Sequence, residues 1–435
     1  MPTQSRLLWL VVLVCAAGMC LYWVHLKRNW GGSANPTAAL RTDLFAQWYG
    51  TRALLLQQRN PYSDDVTREI QVAYYGQELG PAQQADISHQ QRFAYPLYIV
   101  FLIAPTVNLP YPTVEFIWRL VLACVAAASV IFWTRAIHLS LTRTAMVLTL
   151  LVFFASIPTL QALDLVQMAL LVAGLLAGAT ACAASGRLFF AGVLLALATI
   201  KPQLSLIPIS WFTLWAVFRW RQRRALLAGL ALALAALVLA AQFLMPGWLH
   251  PFADALMAYQ QHTRSKSLLG VLLNSPFSWI AAVAVIALGL PLWRHALREP
   301  ADSSAFALAV TCSLTVTTLV MPATFQPFNY VVLLPAFLLM AQNWKTLCSG
   351  SRLSMFAVYC CCAFSVLPWP CALLVDLGRF HPFERLQTIW FAPLNASLAL
   401  PFAAMGLLIL LRNASARAGR ELAPNLLAAG SAKSR

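Results

Sequence analysis

A few charged side chains in this chain stand where charge is costly. Lys201 interrupts the apolar run L-A-T-I-K-P-Q-L (197–204). A lysine there can snorkel, with its stem in hydrocarbon and its ammonium at the interface. It can equally serve as a cation for a phosphate at the membrane surface. Pro202 points to an interrupted helix, which leaves backbone groups to line a cavity. Arg264 and Lys266, before the Ser275-Pro276 break, are a second cationic pair. Asp43 stands in R-T-D-L-F-A-Q-W-Y-G-T-R-A-L-L-L-Q-Q-R-N-P-Y (41–62). The pattern predicts an amphipathic helix of about fifteen residues, capped by Thr42 or Asp43 and ended by Asn60-Pro61. Asp43 is then either a cap, contributing about 1 kcal/mol, or a carboxylate held at the membrane surface. Asp164, Gln167, His262, Asp376, His381 and Glu384 add polar groups near the same rim.

The elements that must position these groups are apolar. Of 435 residues, 60% are hydrophobic and 10% charged, against roughly 45–50% and about 25% in a soluble domain. The apolar residues come in continuous blocks of roughly 15–25, close to the ~20 that cross a bilayer as a helix. The alternation of barrel strands is missing. The reading is an all-α integral membrane protein of about twelve spans. Its blocks lie near 7–26, 112–134, 144–158, 165–185, 187–200, 203–218, 225–245, 268–293, 303–321, 328–342, 353–375 and 390–411. The first follows Arg6 and reads as an uncleaved signal anchor. Residues 1–411 form one transmembrane domain, and 412–435 a basic cytoplasmic tail.

Segment 95–110, with Pro96, Pro105 and Pro110, decides the orientation of everything after it. If it crosses, Arg135, Arg143 and the run R-W-R-Q-R-R (219–224) fall outside, against the positive-inside rule. If it dips into the membrane or lies on it, those residues face the cytoplasm. Outside, apart from the 27–94 loop, then remain Lys201, Arg264, Lys266, Arg379 and Arg385. The second arrangement is adopted. It puts both termini in the cytoplasm of a multi-pass cell-membrane protein and the active surface outside.

The same distribution excludes other classes. A net charge of +16 explained by short basic loops leaves no case for nucleic acid. The ten cysteines mostly lie in or beside apolar blocks, without the spacing of a zinc site or a disulfide framework. No phosphate-binding glycine motif stands where a strand–helix turn could use it. A transporter or lipid flippase is the alternative function. No convincing repeat relates the two halves, as transporter folds often require.

The order of the pieces resembles the GT-C glycosyltransferases, and within them glycosyltransferase family 87, which includes polyprenol-phosphate-mannose-dependent mannosyltransferases. The pieces are Asp43 and its helix ending in Asn60-Pro61-Tyr62, the Tyr95-Pro96 segment and the turn Asp164–Gln167. They continue with S-G-R-L-F-F-A-G (185–192), Lys201-Pro202-Gln203, R-W-R-Q-R-R and S-K-S-L-L-G (265–270). Together they cover most of residues 40–340. The resemblance implies a GT-C-type bundle with a helical first extracytoplasmic loop. It implies a polyprenyl-phosphate-linked sugar as donor, a lipid or glycan acceptor, and inversion at the anomeric carbon. Asp43 would be the general base, and Lys201, Lys266 and Arg264 would meet the donor phosphate. Tyr62, Tyr95, Asp164, Gln167, Gln203, His262 and Asn329 would face the acceptor or sugar. No metal or cofactor is required, because the leaving group is a monoester phosphate. The chain departs from the pattern at M-P-A-T-F-Q-P-F-N-Y (321–330), where many relatives carry a histidine and this sequence offers Gln326 and Asn329. The departure leaves open a different donor or acceptor, or His262 or His381 arriving from another loop.

Overall fold

The computed structural model describes residues 2–30, 42–76, 91–263, 266–378 and 391–414. Among them the regular structure is helical. In chain order the helices are α1 (Pro2–Trp30), α2 (Leu44–Gln57), α3 (Asp64–Tyr75), α4 (Ile99–Ile103), α5 (Tyr111–Ala136), α6 (Arg143–Phe154) and α7 (Ile157–Asp164). Next come α8 (Ala169–Ala184), α9 (Leu188–Ala198), α10 (Pro202–Phe218), α11 (Trp220–Leu244), α12 (Leu249–Thr263) and α13 (Leu268–Leu272). The series ends with α14 (Phe277–Ala296), α15 (Ser304–Val320), α16 (Leu334–Gln342), α17 (Trp344–Cys348), α18 (Arg352–Val366), α19 (Pro368–Gly378) and α20 (Ala392–Ala414).

Each of the twelve apolar blocks contains helix, but the blocks differ in reach. Among the described residues, five helices are long and apolar enough to cross a bilayer, and up to seven spans result if each bent pair counts as one. The bends fall between α6 and α7, at 62°, and between α18 and α19, at 46°. Pro158 and Pro368 sit at these breaks, where a proline can start a helix but not continue one. Helices α8, α9, α10 and α15 are shorter, as is the 327–342 unit. Their turns differ in setting: Lys201 between α9 and α10 is buried, whereas Ser185, Gly186 and Arg187 between α8 and α9 are exposed. Segment 95–110 forms only the five-residue α4, a three-residue 3-10 turn (Ala104–Thr106) and loops.

The packing core lies among α5, α8, α9, α10, α11 and α15. Two glycines allow its closest crossing. A Cβ on Gly192 would stand 2.1 Å from the Leu226 carbonyl oxygen, and one on Gly229 would stand 2.1 Å from that of Phe189. Helices α9 and α11 thus meet backbone to backbone, the small-residue solution to packing where the solvent is lipid. Trp211, Phe212 and Trp215 of α10 surround Phe306 of α15, with ring centroids 4.8–5.5 Å from it.

The basic run at 219–224 does more than orient the chain. Arg223 is buried and donates to the carbonyls of Trp215 (2.7 Å), Leu297 (2.8 Å) and Glu299 (2.7 Å). Its guanidinium also lies 3.7 Å from the Trp215 ring centroid. This arginine ties the α10–α11 corner to the α14–α15 loop.

Helix α2 corrects one expectation. It runs for 14 residues and ends at Gln58 in the left-handed region, close to the predicted stop, but it is not amphipathic. Leu44, Phe45, Gln47, Trp48, Thr51 and Leu54 are all buried, which covers most of its circumference. The first loop therefore carries an internal helix rather than one lying on a surface.

Candidate functional site

The site is built where the start of α2 meets the turns between α7 and α8 and between α9 and α10. Asp43 occupies the N-cap position of α2 but makes no side-chain capping bond. Its backbone N–H donates to the Leu165 carbonyl (3.0 Å), which fixes it against the α7–α8 turn. Its Oδ2 accepts a hydrogen bond from Gln167 Nε2. The cap reading of Asp43 thus falls, and the carboxylate is turned toward other elements. The neighbouring Thr42 hydroxyl bonds the Tyr111 hydroxyl.

Gln167 reaches Asp43 through a strained turn. Val166 has φ +50 and is wholly buried, a conformation that costs a β-branched residue about 1–3 kcal/mol and persists only when its surroundings enforce it. The enforcing contacts are visible. Gln167 N–H donates to the Ala162 carbonyl at 2.8 Å. Arg119 donates to the carbonyls of Leu163 (3.1 Å) and Asp164 (3.3 Å) while pairing with Glu115 (2.5 Å). Arg119 and Glu115 therefore act as more than a pair at the rim, because the arginine holds the exposed carbonyls at the end of α7.

Lys201 completes the constellation. It lies in the turn between the apolar runs 187–200 and 203–218, and it is only 4% exposed. Its Nζ donates to Gln167 Oε1 at 2.8 Å and lies 4.8 Å from the Phe328 ring centroid. Burial lowers its pKa to about 7, and the Asp43 carboxylate acts in the opposite direction. A buried lysine with these partners is not snorkelling. The Gln167 carboxamide is oriented by its neighbours: an ammonium only donates and a carboxylate only accepts, so oxygen must face Lys201 and nitrogen Asp43. The result is an ordered chain of ammonium, carboxamide and carboxylate.

Two tyrosines outside the spanning helices lie in the field of the carboxylate, as does Tyr111 of α5. Burial raises the pKa of Tyr95, with the Asp43 charge adding to the effect. Tyr259 on α12 is pushed up to about 12 by burial, again with Asp43 contributing. Both remain neutral phenols at physiological pH, able to donate as well as accept. Tyr62 stands behind Tyr95, its hydroxyl donating to the Tyr95 carbonyl at 2.8 Å. Tyr98 ties the same segment to α9 through Thr199 Oγ1 (2.8 Å).

The other expected residues divide. Asp164 is half-buried, and its carbonyl is one of those held by Arg119. Gln203 is half-buried in the first turn of α10. Asn329 is fully buried and donates to the Ala323 carbonyl (3.2 Å), while its Oδ1 has no hydrogen-bond partner among the described residues. The Lys266 side chain is exposed, but its carbonyl accepts from Ala323 N–H at 3.2 Å, joining two loops. The side chains of His262 and Arg264 lie outside the described residues, as do His381 and Glu384. Asp376 is bonded to His25 at 3.1 Å, between α1 and α19. In the 321–330 segment, where the resemblance led to the expectation of a histidine, the Phe328 ring supplies a π face for Lys201. Sequence reading missed Tyr259 and Phe328. Tyr259 lies three residues from His262 on one helix, a spacing that shares a face.

A chain whose described residues are helical, with several bilayer-length helices and a half-buried carboxylate linked to a buried ammonium, fits a membrane-embedded group-transfer enzyme. Residues 93–322 match glycosyltransferase family 87. The chain belongs to that family and is a membrane glycosyltransferase, a placement consistent with the GT-C superfamily. The matched region holds Tyr95, Gln167, Lys201 and Tyr259, whereas Asp43 and Asn329 lie beyond it. No curated protein and no solved structure matches the chain significantly.

Proposed function

We propose that the enzyme moves a sugar, mannose or a similar hexose, from a polyprenyl-phosphate donor to a hydroxyl of a lipid or glycan acceptor. The reaction takes place on the extracytoplasmic face. Asp43 takes the proton of the acceptor hydroxyl as that oxygen attacks the anomeric carbon. The bond from that carbon to the phosphate oxygen breaks, and the configuration inverts. Lys201 stabilises the charge that develops on the departing phosphate. The single observation that carries this reading is the Gln167 bridge between Lys201 and Asp43. It couples a candidate base to a candidate phosphate cation across three separate elements.

The bridge suits the chemistry. A base needs its carboxylate within hydrogen-bond reach of the hydroxyl, and a leaving phosphate needs cations placed beforehand. Gln167 occupies one of the three ammonium N–H groups, which leaves donors for a phosphate oxygen. Tyr95 and Tyr259 are suited to orient the acceptor beside Asp43. The shortness of 95–110 supports treating it as non-crossing, since its helical turns fall well below the ~20 residues needed. That arrangement puts Asp43, Lys201 and Lys266 on one side of the membrane.

The test is Asp43→Asn in membranes supplied with radiolabelled polyprenyl-phosphate sugars. The expected outcome is loss of transfer at parental expression. Unimpaired transfer would sink the role of Asp43.

A further inference from the structure

A groove of about 380 Å³ runs between the α2–α3 turn, Arg92 and α12. Asn60, Tyr62, Asp64 and Arg92 line one side, and Asp254 and Ala258 the other. Each wall is next to a tyrosine that senses the Asp43 charge. On one, Tyr62 bonds the carbonyl of Tyr95, and the Tyr95 phenol lies in the field of Asp43. On the other, Ala258 is followed by Tyr259, which lies in the same field.

We propose that this groove seats the acceptor as a short, uncharged glycan segment whose terminal hydroxyl reaches Asp43. The inference rests on the function proposed above. The chemistry of the lining selects the ligand class. Carboxylates accept from sugar hydroxyls, a guanidinium donates to them, and a carboxamide does both. The Tyr62 ring, packed against Phe93 (5.1 Å) and Phe252 (6.1 Å), gives the floor an apolar surface. Charge argues against an anionic ligand, because two carboxylates, Asp64 and Asp254, face one guanidinium. Arg92 is moreover engaged electrostatically by Asp64. His250, 2.9 Å from Asp254, holds that carboxylate in place. The volume is near the lower end of the ~300–1,000 Å³ of small-molecule sites, which suits a short segment rather than a long polymer.

The test uses the full-length protein in detergent and saturation-transfer NMR with mannobiose, maltose, lactose and mannose 6-phosphate. At least one neutral disaccharide should bind, and more tightly than the phosphosugar. Ala258→Trp, which fills the groove without removing a polar partner, should weaken that binding about tenfold or more. Asp254→Asn, an exposed and isosteric change, should weaken it several-fold. Unchanged size-exclusion and circular-dichroism profiles establish folding. The proposal is overturned if no disaccharide binds, if Ala258→Trp binds it as the parent does, or if the phosphosugar binds more tightly. Asp43→Asn separates the two readings, since it should keep disaccharide binding while losing transfer. Full transfer by Asp43→Asn with groove binding intact removes the catalytic reading alone. Lost transfer with parental binding in Ala258→Trp removes the groove alone.

Discussion

Lys201 and Asp43, 158 positions apart in a chain of 435, are joined through the single carboxamide of Gln167. The relationship bears on the protonation behaviour of the site, because burial lowers the pKa of Lys201 while the half-buried Asp43 carboxylate opposes that shift. In a low-dielectric interior such a network contributes more than its pairwise parts.

Gln167→Leu removes the bridge while keeping similar volume. We expect kcat to fall by roughly 10²-fold, in the range seen when one preplaced polar group is lost from a transition state. Expression should be retained. Steady-state transfer kinetics decide it, and a kcat within twofold of the parent would show the bridge to be dispensable.

The lowered pKa of Lys201 predicts a pH dependence. The free enzyme loses the ammonium as pH rises through about 7, so kcat/KM should fall on the alkaline side. A bound phosphate restores the proton, so the limb in kcat should lie at higher pH. Lys201→Arg keeps its charge at all working pH values and should abolish the limb, although at a lower maximal rate. An unaltered limb in that variant would assign the titration to another group.

Arg223 should be intolerant even of lysine. Three carbonyls and the Trp215 ring are met by one planar guanidinium, and an ammonium cannot reproduce that fork. Charge-assisted hydrogen bonds contribute about 1.5–3 kcal/mol each. Thermal unfolding in detergent should show a clear drop in Tm for Arg223→Lys, with the residual activity per folded molecule preserved.

Gly192→Leu should prevent folding or strongly lower yield, because the added side chain meets backbone of α11 rather than a movable side chain. Gly186, with open space around it and φ +76, gives a contrasting control. Gly186→Asn should be tolerated, since asparagine accepts the left-handed region. Fluorescence-detected size exclusion distinguishes the two.

A reporter fused after Arg224 should lie in the cytoplasm, and one fused after His262 outside. The opposite result would require segment 95–110 to cross the membrane.

The sequence by itself determined the class of the protein and singled out Asp43, Gln167 and Lys201 as candidates. Continuous apolar blocks can fold only as helices in lipid, because each backbone polar group must be satisfied within its own segment. Lys201 was visible because an ammonium inside such a block needs a reason, and Asp43 because it opens a helix at a loop. The tertiary structure decided what each of these side chains meets. Asp43 makes no side-chain capping bond, and only the turn through Val166, held by Arg119, brings Gln167 to its carboxylate. The same is true of Lys201, for which snorkelling and burial differ only in what surrounds the Nζ. Helix α2 looked amphipathic because its polar residues fall among apolar ones. The structure buries Gln47 and Thr51 as well; Thr51 donates to the Gln47 carbonyl at 2.7 Å, whereas Gln47 Oε1 has no hydrogen-bond partner among the described residues. Tyr259 and Phe328 gave little signal, for aromatic residues are common in such a chain. Their positions follow from long-range packing, which periodicity and local spacing do not encode.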